Sequence, residues 1–232
     1  MKVKICGLTN LADAQTAVSA GADYLGFIFY PPSKRAIEVA AARRIVAELR
    51  AAPQCPLLVG VFVNETAQKM AEVLATCQLD FAQLSGEEVP ALVGDANSPV
   101  YGRAYKALRP ASFAEAEAEA EWYLPPEYEA EFGRQQGEQM PPGLLLDTYH
   151  PTLRGGTGKT GDWSAAAALA GQIPGLMLAG GLTVANVAEA VRCVRPFAVD
   201  VASGVEAAPG RKDPQLVREF VRLAKQAESL SL

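Results

Sequence analysis

The chain opens with Val3-Lys4-Ile5-Cys6-Gly7-Leu8-Thr9-Asn10-Leu11. It continues through Ala14, Val18 and Gly21 to Tyr24-Leu25-Gly26-Phe27-Ile28-Phe29. Two short apolar runs thus flank a helical pattern. Asn10 or Thr9 can cap a helix with Leu11, Ala14 and Val18 on one face, and Gly21 stops it. Both runs are largely apolar on both faces, as expected of parallel strands covered by helices. A doubly wound nucleotide-binding sheet would follow its first strand with a glycine-rich turn, and Cys6-Gly7-Leu8-Thr9 is not one. The opening unit therefore favours a closed barrel.

The alternation repeats to the C-terminus. Further strands are expected over 57–63, 81–84, 100–106, 143–147, 176–179 and 197–201, after the first two at 3–6 and 24–29. Helices are expected over 36–50 and 66–76. Ser112 and Glu115 form a capping box before an Ala/Glu run. Thr183 precedes Val184, Val187 and Val191. Asp213-Pro214 is a cap followed by a proline at the first helical position, with Leu216, Val217, Phe220 and Leu223 as the apolar face. Eight strand–helix units in 232 residues predict a single-domain (β/α)8 TIM barrel.

Half the residues are hydrophobic and a fifth charged, an ordinary globular composition. No apolar run approaches the roughly 20 residues of a membrane span, and no secretory signal is visible. The four cysteines form no C-x-x-C pair, and the one histidine argues against a zinc site or a Ser-His-Asp triad. The expected compartment is the cytoplasm. Residues 112–140 carry eight acids and one base, so the rest holds 20 bases and 18 acids. No clustered basic face points to nucleic acid. The connection around 112–142, between strands 5 and 6, is long and contains Pro125-Pro126 and Pro141-Pro142. It reads as an acidic, solvated insertion.

In a barrel, chemistry gathers where strands end. Gly180-Gly181 and Ser203-Gly204 end adjacent strands 7 and 8. Glycine admits close backbone approach, and this is the recurrent phosphate position of the fold. Cys6 and Asp147 are ionisable groups ending strands 1 and 6, and such a pair can remove and donate protons on either side of a small substrate. A lone cysteine also serves as a small buried hydrophobe, the reading kept for Cys55, Cys77 and Cys193. Lys4 alternates onto the face of Cys6, where it would favour a thiolate, with Asp200 as a counter-ion. The loop 155–158 with Lys159 reads as a lid or a surface loop. His150 lies near strand 6 with no assigned role.

Several motifs together resemble the phosphoribosylanthranilate isomerase family. They are Lys4-Ile5-Cys6-Gly7-Leu8-Thr9, Gly26-Phe27-Ile28-Phe29 with Ser33-Lys34-Arg35, and Val59-Gly60-Val61-Phe62-Val63-Asn64. Gln83-Leu84-x-Gly86, Leu145-Leu146-Asp147 and Gly155-Gly156-Thr157-Gly158 follow. Leu178-Ala179-Gly180-Gly181-Leu182, Asp200-Val201-x-Ser203-Gly204-Val205-Glu206 and Gly210-x-Lys212-Asp213 complete the set.

The resemblance implies an Amadori rearrangement in tryptophan biosynthesis. Asp147 would be the general acid and Cys6 the general base. Arg35 would bind the anthranilate carboxylate, and Gly180, Gly181, Ser203 and Gly204 the phosphate. It implies no metal or organic cofactor and a phosphosugar substrate, with no nucleic acid or membrane partner, in a monomer or homodimer. The family's Gln-Leu-His-Gly histidine is replaced by Ser85. The alternatives are another phosphate-binding barrel, such as an indole-glycerol-phosphate synthase-like lyase, or a catalytically silent phosphosugar-binding protein. The lyase would use a lysine acid and glutamates, where these strand ends offer Cys6 and Asp147.

Overall fold

Side chains that alternate between two apolar environments build the architecture. A computed structural model describes residues 1–110, 112–124, 128, 141–147 and 163–229. The loop 155–158, Lys159, His150 and much of the acidic connection lie outside the described residues.

The strands are β1 (Lys2–Cys6), β2 (Tyr24–Ile28), β3 (Leu57–Phe62), β4 (Phe81–Leu84), β5 (Ala104–Leu108), β6 (Leu144–Asp147), β7 (Leu176–Ala179) and β8 (Ala198–Val201). They pair in parallel in chain order, and β8 closes on β1 with Lys4 opposite Asp200. The expected (β/α)8 barrel therefore forms. The described helices are α1 (Leu11–Ser19), α2 (Val39–Arg50), α3 (Ala67–Cys77), α4 (Ala91–Gly94), α5 (Phe113–Tyr123), α6 (Trp163–Gln172), α7 (Val187–Val194) and α8 (Pro214–Ser229). A 3₁₀ turn (Ser203–Val205) leads into a small antiparallel hairpin, β9 (Glu206–Ala208) and β10 (Arg211–Lys212).

Tyr24, Val59, Phe81, Tyr105, Leu145, Met177 and Ala198 form an apolar cluster separate from the one that holds Val3, Ile5, Leu25, Phe27, Leu144, Leu146 and Val199. Strand alternation makes the first the barrel interior and the second the layer beneath the helices. The same period puts Lys4, Cys6, Gln83, Asp147 and Asp200 on the interior face. Helix starts follow the sequence. Asn10 accepts the Asp13 N–H at 2.9 Å, Thr66 that of Lys69 at 3.2 Å and Ser112 that of Glu115 at 3.2 Å. Each cap satisfies an otherwise orphaned donor, typically for about 1 kcal/mol.

Three boundaries depart from expectation by three residues or more. Strand 5 begins at Ala104 rather than at 100, because Gly102 takes φ +70° in a turn closed by Arg103 N–H on Val100 O at 3.0 Å. The second helix starts at Val39 rather than 36, because Ala36 bridges to Ile28 and extends the sheet. The seventh starts at Val187, after a turn in which Thr183 O accepts the Asn186 and Val187 N–H groups. The described part of the acidic connection also packs on the barrel. Ala116 and Ala120, one turn apart on α5, are buried, and so is Tyr128. Ala116 and Ala120 go inward while Glu115 and Glu121 stay exposed, so the run keeps a narrow alanine face against the barrel.

Candidate active site

The site begins at an inward glycine. A Cβ on Gly26 would lie 2.7 Å from Cys6 Sγ and 3.2 Å from Lys4 Cε. Its absence gives the Cys6 and Lys4 side chains room inside a narrow barrel. Lys4 is fully buried and reaches Asp200 Oδ1 at 3.1 Å and Gln83 Oε1 at 2.7 Å. Tyr105 donates its hydroxyl to the same Gln83 oxygen at 3.0 Å, and Gln83 Nε2 donates to Ser85 Oγ at 3.1 Å. Burial opposes the charge on Lys4, but Asp200 and Cys6 raise it well above the ordinary lysine range. Lys4 is a fixed cation below the thiol. Burial nevertheless pushes Cys6 itself up, and Lys4 and Lys212 pull it down only in part. The expected effect of Lys4 on the thiol is present, but desolvation outweighs it.

At the ends of β6, β7 and β8, a cavity of about 360 Å³ is lined by Asp147, Gly180, Gly181, Ser203, Gly204 and Asp200, among others. The acid candidate and all four phosphate candidates thus face one space. Gly180 and Gly181 have φ of +96° and +63°, which glycine adopts at little cost. A Cβ on Gly181 would meet no atom within 4 Å, whereas one on Gly204 would lie 1.9 Å from Leu182 O. Gly181 thus borders open space, and Gly204 allows the chain to close. Asn186 holds the β7 turn: its Oδ1 accepts from Thr183 N–H at 2.8 Å, and its Nδ2 donates to Gly181 O at 3.0 Å. Asp147 Oδ2 accepts from Arg109 Nε at 3.2 Å.

Arg35 lies over the end of β1. A Cβ on Gly7 would come 2.7 Å from Arg35 Cδ, so the arginine stem rests where Gly7 lacks a side chain. Glu206 holds the guanidinium by two bonds, from Nε at 2.8 Å and Nη2 at 2.7 Å. Lys212, pushed down by burial against the pull of Glu206, donates to that carboxylate at 3.0 Å.

Sequence reading located Cys6, Asp147, Arg35 and the glycine turns. It assigned no role to Gln83, Tyr105, Asn186, Arg109, Glu206 or Lys212. Glu206 and Lys212 stand in quoted motifs, but the pairing of Glu206 with Arg35 spans 171 residues of chain and leaves no local pattern. Among the described residues, no group of three or more His, Cys, Asp or Glu is placed to hold a metal. No described helix is long and apolar enough to cross a membrane.

Comparison with known proteins agrees with this arrangement. The family model described as N-(5'phosphoribosyl)anthranilate (PRA) isomerase matches residues 3–223. N-(5'-phosphoribosyl)anthranilate isomerase of Trichlorobacter lovleyi is 44% identical over 227 residues, 98% of this chain and 99% of that protein. The crystal structure of phosphoribosyl anthranilate isomerase from Thermotoga maritima superposes with a TM-score of 0.80 at 41% identity, covering 97% of this chain and 99% of the other. A further structure of such an enzyme, bound to reduced 1-(o-carboxyphenylamino)-1-deoxyribulose 5-phosphate, gives 0.75 at 37% identity over 97% and 99% of the two chains. By the match of its motifs, its barrel and nearly its whole length, this chain belongs to the N-(5'-phosphoribosyl)anthranilate isomerase family.

Proposed function

We infer that the chain catalyses the Amadori rearrangement of N-(5-phosphoribosyl)anthranilate to 1-(2-carboxyphenylamino)-1-deoxyribulose 5-phosphate, a step of tryptophan biosynthesis. The observation that carries this reading is the shared cavity: Asp147 faces the same space as Gly180, Gly181, Ser203 and Gly204. An acid beside an anion cradle suits a phosphosugar whose ring must open.

In the first step Asp147 gives a proton to the ribose ring oxygen as its bond to C1 breaks. The nitrogen lone pair forms the C1=N bond, giving a protonated imine. Cys6, as thiolate, then takes the C2 proton. The C–H electrons become the C1=C2 double bond, and the iminium π electrons return to nitrogen. The enolamine takes a proton at C1 and loses the one on the C2 oxygen, which gives the ketone. The iminium is the electron sink, so the reading calls for no metal or organic cofactor.

Cys6 works against its burial. Lys4 and Lys212 favour its anion, and the substrate iminium adds positive charge next to the carbon being deprotonated. Arg35 suits the anthranilate carboxylate because a planar guanidinium binds a carboxylate by two parallel bonds. The same reading makes the enzyme a cytoplasmic monomer or homodimer. The test is turnover of phosphoribosylanthranilate, generated in situ and followed by its fluorescence. Purified protein should consume it and release the ketose product. No consumption by folded protein overturns the reading.

A further inference from the structure

Glu206 sits between two cations. Its Oε1 accepts from Arg35 Nε at 2.8 Å and from Lys212 Nζ at 3.0 Å, and its Oε2 accepts from Arg35 Nη2 at 2.7 Å. The Glu206 and Lys212 side chains are 5% and 0% exposed, and that of Arg35 is 25% exposed. Lys212 is pinned from two further sides. Its Nζ donates to Ala202 O at 2.9 Å, and its backbone N–H donates to Asp13 Oδ2 at 2.7 Å.

The charge balance of this cluster is informative. Glu206 alone would cancel Arg35 and occupy its Nε–Nη2 edge, leaving a neutral pair with little attraction for a second carboxylate. Lys212 adds a buried positive charge, so the cluster carries one in excess. Of its three members only Arg35 is appreciably exposed, and Glu206 takes its Nε–Nη2 edge, which leaves the Nη1–Nη2 edge with the Nη1 hydrogens and the second Nη2 hydrogen. That edge can take a planar anion bidentately. The Arg35 stem also crosses Gly7, the residue after Cys6, which puts an anion held there beside the base.

We propose that Lys212 is a positioning residue for substrate specificity: it neutralises Glu206, which grips one edge of Arg35, so that the other edge keeps its charge for the aromatic carboxylate of the substrate. The proposal rests on the reading of Arg35 under Proposed function. Lys212 touches no reacting atom in this scheme. It acts through Glu206 on Arg35 and sets how strongly the site prefers a carboxylated ring over a bare one.

The test is a comparison of two ligands by calorimetry with the full chain. One is reduced 1-(o-carboxyphenylamino)-1-deoxyribulose 5-phosphate, and the other is the same compound without the carboxyl group. The readout is the ratio of their Kd values. Lys212→Met should cut the preference for the carboxylated ligand by about 10-fold, the scale of one charge-assisted contact. Its affinity for the bare ligand should change much less. The double variant Lys212→Met/Glu206→Gln restores the single positive charge on Arg35, and it should recover most of the preference. A purely structural role for Lys212 would weaken both ligands alike and make the double variant worse than the single, and either result overturns the proposal. Arg35→Met separates the two levels. If it abolishes the preference while Lys212→Met keeps it, only the proposal falls. If Arg35→Met keeps the preference, the reading of Arg35 falls and the proposal with it. Should Lys212→Met not fold, Lys212→Gln gives the same comparison.

Discussion

Burial raises the Cys6 thiol above its ordinary value, and the Lys4 ammonium on the same face of β1 opposes that rise. The active form of a thiol base is the deprotonated one, so kcat/KM should climb with pH. An upward-shifted thiol means that the climb continues past the ordinary cysteine value of about 8.5. Lys4→Met removes the opposing cation, and the climb should move to still higher pH. A pH–rate profile of the two proteins checks this, and a wild-type profile flat between about pH 6 and 9 removes Cys6 from the base role. Cys6→Ser should lose at least about 10²-fold in turnover, the low end for a general base. Asp147→Asn keeps shape but carries no proton, and should cost at least about 10²-fold in kcat with KM little changed. Ser85, where the resemblance implies a histidine, accepts the Gln83 amide N–H with its hydroxyl.

At the scale of elements, the turns after β7 and β8 use glycine for two different reasons, and substitution should separate them. Gly204→Ala drives a methyl into the backbone oxygen of Leu182, a contact no rotamer can relieve. It should lower stability by about 2 kcal/mol or more, measured by urea unfolding. Gly181→Ala meets open space and should cost only about 1 kcal/mol for its positive φ. Its effect should appear instead as a raised KM and weaker competitive inhibition by inorganic phosphate. Unchanged values for both would move the phosphate elsewhere. The connection between β5 and β6 also divides. Glu115 and Glu121 of α5 are exposed and Glu117 and Glu119 half-buried, but Tyr128 is buried and donates to Pro141 O at 2.8 Å. Tyr128→Ala should therefore destabilise by about 3 kcal/mol, as a deleted core aromatic does, despite its acidic surroundings.

Across the whole molecule, ring closure leaves the loops after β3 and β4 to be tied to each other and to strand β5. Glu88 does this. Its carboxylate accepts the Asn64 N–H at 2.9 Å, the Gly86 N–H at 3.0 and 2.9 Å, and Lys106 Nζ at 2.7 Å. Burial raises Glu88, but these bonds outweigh it and hold the carboxyl below its ordinary value. The native state therefore binds this proton less readily than the unfolded chain. Stability from Glu88 is complete above the unfolded value of about 4.3 and is lost as pH falls through the lower native value. Glu206, held low by Arg35 and Lys212 against its burial, adds a loss of the same sign. Urea midpoints should fall with pH across that window. Glu88→Gln leaves Lys106 buried without its counter-charge, and should cost about 3–5 kcal/mol near neutral pH. An acid-insensitive wild type would contradict both assignments.

The sequence alone determined the order of eight strand–helix units and most of their boundaries to within a residue or two. All of these depend on contacts between residues a few positions apart, where periodicity and capping leave a direct trace. It also placed Lys4 on the face of Cys6, because strand alternation is local. It misplaced the start of β5, since Val100-Tyr101 has strand composition and only the turn at Gly102 excludes it. It read the Ala/Glu run as solvated because glutamate charge masks a narrow alanine face. Tertiary structure alone decided which groups meet. Lys4 pairs with Asp200 across 196 residues and with Gln83 across 79. Arg35 is joined to Glu206 across 171. It also decided the sign of the Cys6 shift, because desolvation depends on the closed ring around the thiol and outweighs the neighbouring lysine that sequence alone can identify.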